Sequence, residues 1–461
     1  MNESITKATK QFTGCASLAA LGVKLKQLDL FGPIRKTVQI AQKTVKHTPI
    51  DKLYDAFISL LAGAHGLVEI NTRLRADVAL QAAFGREACA EQSVVQETLD
   101  ACTSENVNQM EQALDSIYRQ HSRGYRHDYP ASLQLLDVDM SGMPCGKKAA
   151  FASKGYFAKQ RNRRGRQLGR VLATRYEEVV VDRLFDGKTQ LSKALQPLMQ
   201  AAEQTLQLDE GQREQTLVRL DAGGGSVDDV NWLLARGYQV HCKDYSSQRA
   251  HRLAASVQDW VDDPQVPGRQ VGWVQLPACE YVRPVRRIAV RCRKANGQWG
   301  IGVLISSLAP SQVLALTPIR PGLEADPATV LLAYVYFYDQ RGGGVETSFK
   351  GDQQGLGSTT RSKKRFEAQQ MVMLLGTLAH NVVIWARQWL TQAAAPSKLR
   401  GYGIMRMVRD VFHISGFLLL DALGQIVQIV LNQAAPLAPI LVEALRELLA
   451  PVHLAISLGQ T

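Results

Sequence analysis

Apolar residues recur at helical spacing through the first part of the chain. Residues 31–125 place apolar positions three and four apart between short polar joints, and Asp51 and Ser104 stand where helix N-caps are expected. This pattern predicts an all-helical N-terminal domain over residues 1–128, suited to DNA contact or to dimerisation. Residues 1–30 are polar and weakly patterned, so we expect them to form a loose arm.

Strand patterns begin after this region and alternate with helices. The predicted strands are, in chain order, Leu133–Asp139, Gln167–Thr174, Glu177–Arg183, Thr216–Leu220 and Tyr238–Cys242. A helix over Leu191–Leu206 follows the third strand, and a helix capped by Ser226 follows the fourth. Three consecutive strands, a helix, a strand, a helix and a strand are the order of a ribonuclease-H-like α/β core. In that topology the first and fourth strands are neighbours.

Beyond the fifth strand the pattern changes to short alternating segments. They include Gln298–Ser306 and Gln312–Leu316, and Asn296-Gly297 is a strong hairpin turn. The alternation predicts a β-rich insertion between the fifth strand and the next helix. The predicted domains are the helical N-terminal domain (1–128), the ribonuclease-H-like core (129–245 and 331–395), the β-rich insertion (246–330) and a C-terminal α+β region (396–461).

Composition adds a partner and a compartment. The 461 residues are 46% hydrophobic and 21% charged, as in soluble globular proteins, and the formal charge of +12 favours a polyanion such as nucleic acid. The seven cysteines form no CxxC pair, which favours reduced thiols in the cytoplasm over disulfides or a zinc site. We expect no signal peptide, because no long apolar run follows a basic start. The most apolar stretches, Met371–Trp389 and Phe417–Leu431, carry charged and amide side chains, so we expect buried core elements and no membrane contact.

A run of basic residues adds a candidate nucleic-acid surface. Between Met140 and Tyr176 there are ten lysines and arginines, no acid, and several aromatic residues. Such a run suits phosphate contact and base stacking, and a solvated surface is the alternative. The basic residues predicted to bind DNA, in this run and in a later cluster, are Lys154, Lys159, Arg161, Arg163, Arg164, Arg166, Lys363 and Lys364.

Three carboxylates are candidates for chemistry. Asp139 and Asp221 end the first and fourth predicted strands, and Glu346 lies near the start of a later helix. Acids without thiol or imidazole company favour hard ions, and two Mg²⁺ or Mn²⁺ ions catalyse phosphodiester displacement. Asp137 lies on the same side of its strand as Asp139 and is an alternative ligand. We prefer Asp139 because it stands at the exit of the strand.

Asp221 also has a purely structural interpretation, as a helix-entry residue that binds backbone amides. Three glycines follow it at positions 223–225, and we expect them to leave the carboxylate open to an ion or a DNA strand. No P-loop, zinc pattern or nucleophile elbow competes with the three acids.

Four short segments carry a family resemblance. They are Leu136-Asp137-Val138-Asp139, Lys154-Gly155-Tyr156-Phe157, Arg219-Leu220-Asp221-Ala222-Gly223 and Val345-Glu346-Thr347-Ser348-Phe349-Lys350. Together they resemble DDE transposases of bacterial insertion sequences, in particular the cut-and-paste group with a β-insertion before the catalytic glutamate. The resemblance runs from about Asp51 to about Asn432. It implies that Asp139, Asp221 and Glu346 are the catalytic metal ligands.

That group also carries a tyrosine, arginine, glutamate and lysine signature near its third acid. The resemblance implies DNA-binding roles for Tyr338, Arg341 and Lys350, and the first two have the spacing of the family. Four residues instead of three separate Arg341 from Glu346, and Gln353 stands where the family has its lysine.

The resemblance implies a transposase, an enzyme that binds terminal inverted repeats, cleaves DNA as an endonuclease and joins the free ends to target DNA. Its partners would be double-stranded DNA and a second copy of the chain, because two ends must be brought together. Its place would be the bacterial cytoplasm, at the nucleoid. The alternatives are a ribonuclease-H-like nuclease without strand transfer and a non-catalytic DNA-binding descendant of a transposase.

Overall fold

A computed structural model describes residues 9–44, 46–155, 157, 160, 162–318, 326–392 and 397–460, and every structural statement below concerns these residues. The chain is a mixed α/β protein with two compact units. The helical unit contains residues up to 122, residues 144–152 and residues from 348 onward. The sheet unit contains residues 123–143 and 153–347.

The bounds of the regular elements follow in chain order. The strands are β1 (Thr9–Thr13), β2 (Gln134–Pro144), β3 (Ser153–Lys154), β4 (Arg164–Ala173), β5 (Glu178–Asp186), β6 (Thr216–Leu220), β7 (Gln239–Lys243), β8 (Val261–Asp262), β9 (Arg269–Trp273), β10 (Arg286–Arg293), β11 (Trp299–Ser306), β12 (Gly416–Leu420), β13 (Ile426–Asn432) and β14 (Ala455–Gly459). The α-helices are α1 (Ala16–Gln27), α2 (Gly32–Thr37), α3 (Pro49–Leu61), α4 (Val78–Ala83), α5 (Gln92–Ala101), α6 (Ser104–His121), α7 (Leu191–Leu206), α8 (Glu210–Glu214), α9 (Val227–Ala235), α10 (Ser247–Ala254), α11 (Pro310–Leu316), α12 (Pro327–Asp339), α13 (Val345–Gly355), α14 (Phe366–Gln392), α15 (Ile404–Arg406) and α16 (Ala438–Leu449).

The sheet unit is organised around a ten-stranded sheet with the order β3-β4-β2-β6-β7-β11-β10-β9-β8, in which β5 pairs with β4. β2, β6 and β7 run parallel, whereas β4 and β5 are antiparallel. Across the sheet the five strands of the predicted core lie in the order β5-β4-β2-β6-β7. Numbered by their order in the chain, these are the third, second, first, fourth and fifth strands. The predicted adjacency of the first and fourth strands is therefore present. Every residue of β6 is buried, as expected for an interior parallel strand covered on both faces.

The predicted β-rich insertion extends this same sheet. β11 pairs with β7, and β10 pairs with β11 around the Asn296-Gly297 turn, where Gly297 has a φ of +79°. The hairpin prediction is confirmed, whereas the strand-like pattern predicted for Gln312–Leu316 is wrong. That segment lies in helix α11, which begins at Pro310, and Gln312 Oε1 accepts a hydrogen bond from Ala309 N at 2.8 Å. Five alternating residues are too few to distinguish a strand from two turns of helix.

The helical unit has one large apolar core, formed mainly by α1, α3, α14 and α16 and by one face of the sheet β1-β12-β13-β14. The prediction of a loose arm over residues 1–30 is wrong for the part of it described here. Residues 9–13 form an edge strand on β12, and α1 is buried along Ala16–Gly22. Alanines and glycine on every side of α1 remove the contrast between faces on which a periodicity argument depends.

Both of the most apolar stretches lie in core elements, as predicted. Met371–Trp389 belongs to α14, which is buried along most of its length, and Phe417–Leu431 forms the β12–β13 hairpin. Of the helices described, none combines the length and the apolar character needed to cross a membrane.

Candidate active site

The carboxylates of the first and fourth strands stand next to each other where β6 ends. In the register of β2 and β6, Val138 is opposite Leu220, so Asp139 and Asp221 are the following residues on two adjoining parallel strands. Asp221 begins the short 3₁₀ turn Ala222–Gly224, and its Oδ1 accepts a hydrogen bond from Gly223 N at 2.8 Å. The structural interpretation of Asp221 therefore accounts for one of its two oxygens.

Arg341 connects Asp139 to Glu346. It lies in the 3₁₀ turn Gln340–Gly343 between α12 and α13, and Glu346 is the second residue of α13. Arg341 Nη2 is 3.0 Å from Asp139 Oδ2, and Nη1 is 3.5 Å from Glu346 Oε1. Nη2 also donates to Val138 O at 3.1 Å. The arginine side chain is 4% exposed while that of Glu346 is 60% exposed, so a buried cation stands between a buried acid and an accessible one.

The electrostatics of the site tie the third acid to the other two. Burial raises the pKa of Asp139 to about 6, with Asp221 and Glu346 acting in the same direction and Arg341 opposing them. Burial also lowers the pKa of Arg341, but Asp139, Asp221 and Asp137 raise it by more. Burial raises the pKa of Tyr338, and Asp221 and Asp139 add to the rise. Asp221 is therefore close enough to influence every other charged group in the cluster that shows a shift.

The donor set suits a hard cation, although the three carboxylates are not arranged around a common point. Within the described ranges, no group of three or more histidine, cysteine, aspartate or glutamate side chains stands where it could bind a metal ion. Arg341 occupies the space between the carboxylates of Asp139 and Glu346. Burial raises the pKa of Asp139, and repulsion from Asp221 and Glu346 adds to the rise, so added positive charge would be favourable here, and carboxylate oxygens are the ligands that Mg²⁺ and Mn²⁺ prefer.

Asp137, the alternative to Asp139, is committed to a different contact. Its side chain is 0% exposed. Its two oxygens accept hydrogen bonds from Arg219 Nε at 2.6 Å and from Arg219 Nη2 at 2.9 Å. A bidentate guanidinium partner occupies both carboxylate oxygens. The structure therefore favours Asp139, which is 15% exposed and faces Asp221, as the first member of the acidic cluster.

The glycines near the acids have packing roles that differ from the expected one. A Cβ at Gly225 would collide with the carbonyl oxygen of Lys243, so that glycine lets the turn after Asp221 approach the end of β7. A Cβ at Gly344 would collide with the carboxylate of Asp137. Both positions require glycine for close chain packing, which explains them without an ion or a DNA strand.

The predicted DNA-binding residues fall into two groups. Lys154, Arg163 and Arg164 are exposed on the β3–β4 hairpin, where Lys154 is directly opposite Arg164. Arg166, two positions further along β4, is 1% exposed, so its side chain lies inside the fold, and its contact with DNA stays a prediction. Lys159 and Arg161 lie outside the described residues.

The remaining predicted contacts also divide by burial. Lys350 and Lys364 are exposed. Lys363 is 8% exposed, its Nζ donates to Gln96 Oε1 at 2.7 Å, and burial lowers its pKa. Lys363 therefore makes a buried structural contact, and its binding to DNA stays a prediction. Tyr338 is half-buried, and its pKa couples it to the acids.

Arg219 and His241 were missed by the sequence analysis. Arg219 is opposite Asp137 on one side and His241 on the other, and all three side chains are buried. A signal for Arg219 was available, because an arginine in the middle of the apolar strand Thr216–Leu220 must have a buried acidic partner.

Comparisons with known proteins add a similarity to solved structures. No family model matches the chain, and no curated protein matches it. Among solved structures, the chain is similar to piggyBac transposase in a cryo-EM structure of its synaptic complex with hairpin DNA. The two share 11% sequence identity over 88% of this chain and 82% of that chain, with a TM-score of 0.44. At this level of similarity the function is argued from the geometry of the site.

Proposed function

We propose that this protein is a DDE transposase, which cleaves DNA at the terminal inverted repeats of an insertion sequence and joins the ends to target DNA. The observation that carries the proposal is that Asp139 and Glu346 both contact Arg341, while Asp221 stands next to Asp139 and influences the same arginine electrostatically. Two of these acids come from adjoining parallel strands and the third from the start of α13. Function in open α/β sheets is concentrated at such strand ends.

The strand order supports a ribonuclease-H-like core. β2, β4, β5, β6 and β7 have the order predicted for that topology, with the first acid on the first strand and the second acid after the fourth. The strands β8–β11 and the helices α10 and α11 would then be the insertion before the glutamate.

Asp139, Asp221 and Glu346 would hold two Mg²⁺ or Mn²⁺ ions. When bound, such ions neutralise the phosphate and activate the attacking water or 3′-hydroxyl. Asp139 must be ionised to serve as a ligand, and its raised pKa means that this costs more below about pH 6 than for an ordinary aspartate. Glu346 is the most exposed of the three acids, so its side chain can change position most easily to bind an ion.

Arg341 has a second role in this proposal. Its Nε is buried and has no hydrogen-bond partner in the described part of the chain, although its two Nη atoms contact Asp139 and Glu346. A guanidinium with spare donor capacity next to a catalytic acid suits a phosphate oxygen. Arg341 would balance the acids in the absence of DNA and would bind a backbone phosphate near the cleaved bond when DNA is present. Tyr338, one turn earlier, would contact the same strand.

The β3–β4 hairpin would bind the DNA backbone. Lys154 and Arg164 are exposed and directly opposite each other, so two positively charged side chains lie side by side on the surface of the hairpin. Arg163 adds a third exposed charge, and the formal charge of +12 fits the same partner. A homodimer would bring two DNA ends together, in the bacterial cytoplasm at the nucleoid.

The test is an assay with linear duplexes that end in the inverted repeats flanking the gene, in Mg²⁺ and separately in Mn²⁺. The wild-type protein should nick these ends and join them to a target plasmid, and Asp221→Asn should do neither while still binding the duplex. Full activity of Asp221→Asn would overturn the assignment. Ends that are cut but never joined would indicate a nuclease, and binding without any metal-dependent cut would indicate a non-catalytic descendant.

A further inference from the structure

One layer below the acids, three buried polar side chains lie in a row across the sheet. Asp137 on β2 is opposite Arg219 on β6, and Arg219 is opposite His241 on β7. Their exposures are 0%, 1% and 0%. We call these three residues the buried polar row. Asp139 follows Asp137 by two positions on β2 and lies on the same face of the sheet, and Asp221 follows Arg219 by two positions, immediately after β6 ends.

Two members of the row also hold the end of helix α12. Arg219 Nη1 donates to Phe337 O at 3.0 Å, and its guanidinium carbon lies 4.8 Å from the centre of the Phe337 ring. His241 Nε2 is 3.1 Å from Tyr334 O. Phe337 belongs to the last turn of α12, where carbonyl groups lack helical donors and where positive charge is favourable. The row therefore anchors the helix that leads directly into Arg341.

The third member, Asp137, packs against the other end of the turn between α12 and α13. The carboxylate of Asp137 is in contact with the backbone at Gly344, where a Cβ would collide with it. Gly344 immediately precedes α13 and is two residues before Glu346. Arg219 and His241 therefore contact the end of α12, which precedes the turn that carries Arg341. Asp137 contacts the end of that turn, next to the start of α13.

We infer that Asp137, Arg219 and His241 are positioning residues that set the place of Arg341 and Glu346 relative to Asp139 and Asp221. The row connects the strands that carry the first two acids to the turn that carries the third. His241 is kept neutral, since burial and the charge of Arg219 lower its pKa to about 3, so its Nε2–H can donate to Tyr334 O while Nδ1 has no partner among the described residues. The structural part of this inference stands without the proposed function, whereas its catalytic consequence rests on that proposal.

A second buried pair provides a matched control. Arg170 on β4 and Asp182 on β5 are opposite each other, with Nε and Nη2 of the arginine 2.8 Å and 2.6 Å from the two carboxylate oxygens. Both side chains are as buried as those of Asp137 and Arg219. The control pair has the same chemistry and the same burial and also joins two neighbouring strands, but it lies on β4 and β5 and not on β2 and β6.

The experiment compares Arg219→Lys with Arg170→Lys by hydrogen–deuterium exchange of the full-length protein. Lysine keeps the charge but, as a compact ammonium, cannot bind Asp137 and Phe337 O at the same time as the guanidinium does. Arg219→Lys should therefore accelerate exchange in peptides covering Tyr334–Glu346 by about tenfold, the effect of losing a charged hydrogen bond. Arg170→Lys should accelerate exchange in β4 and β5 and leave Tyr334–Glu346 unchanged. Equal acceleration of Tyr334–Glu346 in both variants, or in neither, would overturn the inference.

A measurement on the wild-type protein covers the case in which Arg219→Lys does not fold. With rising urea, amides of Tyr334–Glu346 should become exposed in the same opening event as those of β2 and β6. Opening of Tyr334–Glu346 in a separate, earlier event would contradict the inference.

The catalytic consequence has its own readout. In single-turnover cleavage, Arg219→Lys should lower the rate by about tenfold at saturating Mn²⁺ without changing the affinity for DNA, whereas Arg170→Lys should leave both unchanged. A loss of DNA affinity with an unchanged rate would contradict a positioning role. If the wild-type protein has no metal-dependent activity, the proposed function fails, and the exchange results still decide whether the row positions the turn.

Discussion

Asp137 and Asp139 lie two positions apart on the same strand and the same face, yet the structure gives them opposite environments. Asp137 is opposite Arg219, completely buried, and bound by two of the arginine's three donor nitrogens. Asp139 comes next to Asp221 at the end of β6 and has a raised pKa. The difference teaches that the residue on the adjoining strand, Arg219 for Asp137 and Asp221 for Asp139, decides which acid is structural and which is available to a ligand.

The same rule separates two arginines on β4. Arg164 is exposed at the start of the strand, opposite Lys154, whereas Arg166 is buried two positions later. In both pairs two like residues two positions apart on one strand differ in burial: Asp139 is 15% exposed and Asp137 is 0% exposed, and Arg164 is exposed whereas Arg166 is buried. The comparison between deep and outer positions can therefore be tested with acids and with bases.

The largest expected effect comes from the outer acid. Asp139→Asn should lower Mg²⁺-dependent cleavage of inverted-repeat ends by about a thousandfold or more, because the bound ions contribute several kcal/mol to the reaction. Circular dichroism should be unchanged. The control is Asp228→Asn, which removes the same charge from an exposed position on α9 and should keep full activity. Comparable activity of Asp139→Asn and Asp228→Asn would remove Asp139 from the site.

The ion pair of the buried acid, Asp137, should contribute to the stability of the fold. Arg219→Met leaves Asp137 buried without its partner and should lower the free energy of unfolding by about 3–5 kcal/mol, measured by urea denaturation. The double variant Asp137→Leu/Arg219→Met removes both charges and should recover much of this loss. If the double variant is no more stable than Arg219→Met, the pair stabilises the folded protein by more than the neutralisation of one buried charge by the other.

The two acids should also differ in the pH dependence of stability. The pKa of Asp139 is raised from 3.8 to about 6 on folding, so the folded state holds a proton that the unfolded state has lost between these values. Ionisation of Asp139 then costs stability as pH rises through this window. Relative to Asp139→Asn, the wild-type protein should lose about 3 kcal/mol of stability between pH 3.5 and pH 7, without added metal. A constant difference across the window would contradict the raised pKa.

The smallest expected effect concerns the two arginines of β4. Arg164→Gln should reduce the slope of log Kd against log salt by about 0.9, the value for one lost phosphate contact, and should leave stability nearly unchanged. Arg166→Gln should lower the melting temperature, and any loss of DNA affinity should leave the salt slope intact. Lys193→Gln, which removes an exposed charge on α7, is the control. Equal slopes for all three variants would show that the hairpin does not bind DNA.

Much of the sheet unit could be predicted because its signals are local. Thr216–Leu220 and Leu191–Leu206 match the predicted bounds, and Ser226 caps α9 with its hydroxyl accepting from Asp229 N at 3.1 Å. The order of strands and helices was enough to place Asp139 next to Asp221. Patterns of short range failed where tertiary packing decides, as in α1, whose small apolar residues are buried on every side.

The details of the site depend on contacts that no local pattern contains. The sequence left Asp137 and Asp139 as alternatives, since both point to one side of a strand, and only the position of Arg219 in the neighbouring strand separates them. The burial of Arg166 and Lys363 was equally hidden inside runs of positive charge. Arg341 was expected on DNA, and its contacts with Asp139 and Glu346 follow from the turn between α12 and α13.

The central claim is that Asp139, Asp221 and Glu346 form one site for hard metal ions. It is tested most directly by Asp221→Cys, because a thiolate is a poor ligand for Mg²⁺ and a better one for Mn²⁺. We predict that this variant cleaves inverted-repeat ends in Mn²⁺ and not in Mg²⁺, while the wild-type protein is active in both. Equal activity of Asp221→Cys in the two metals, or equal loss in both with DNA binding intact, would contradict the claim that Asp221 is a metal ligand.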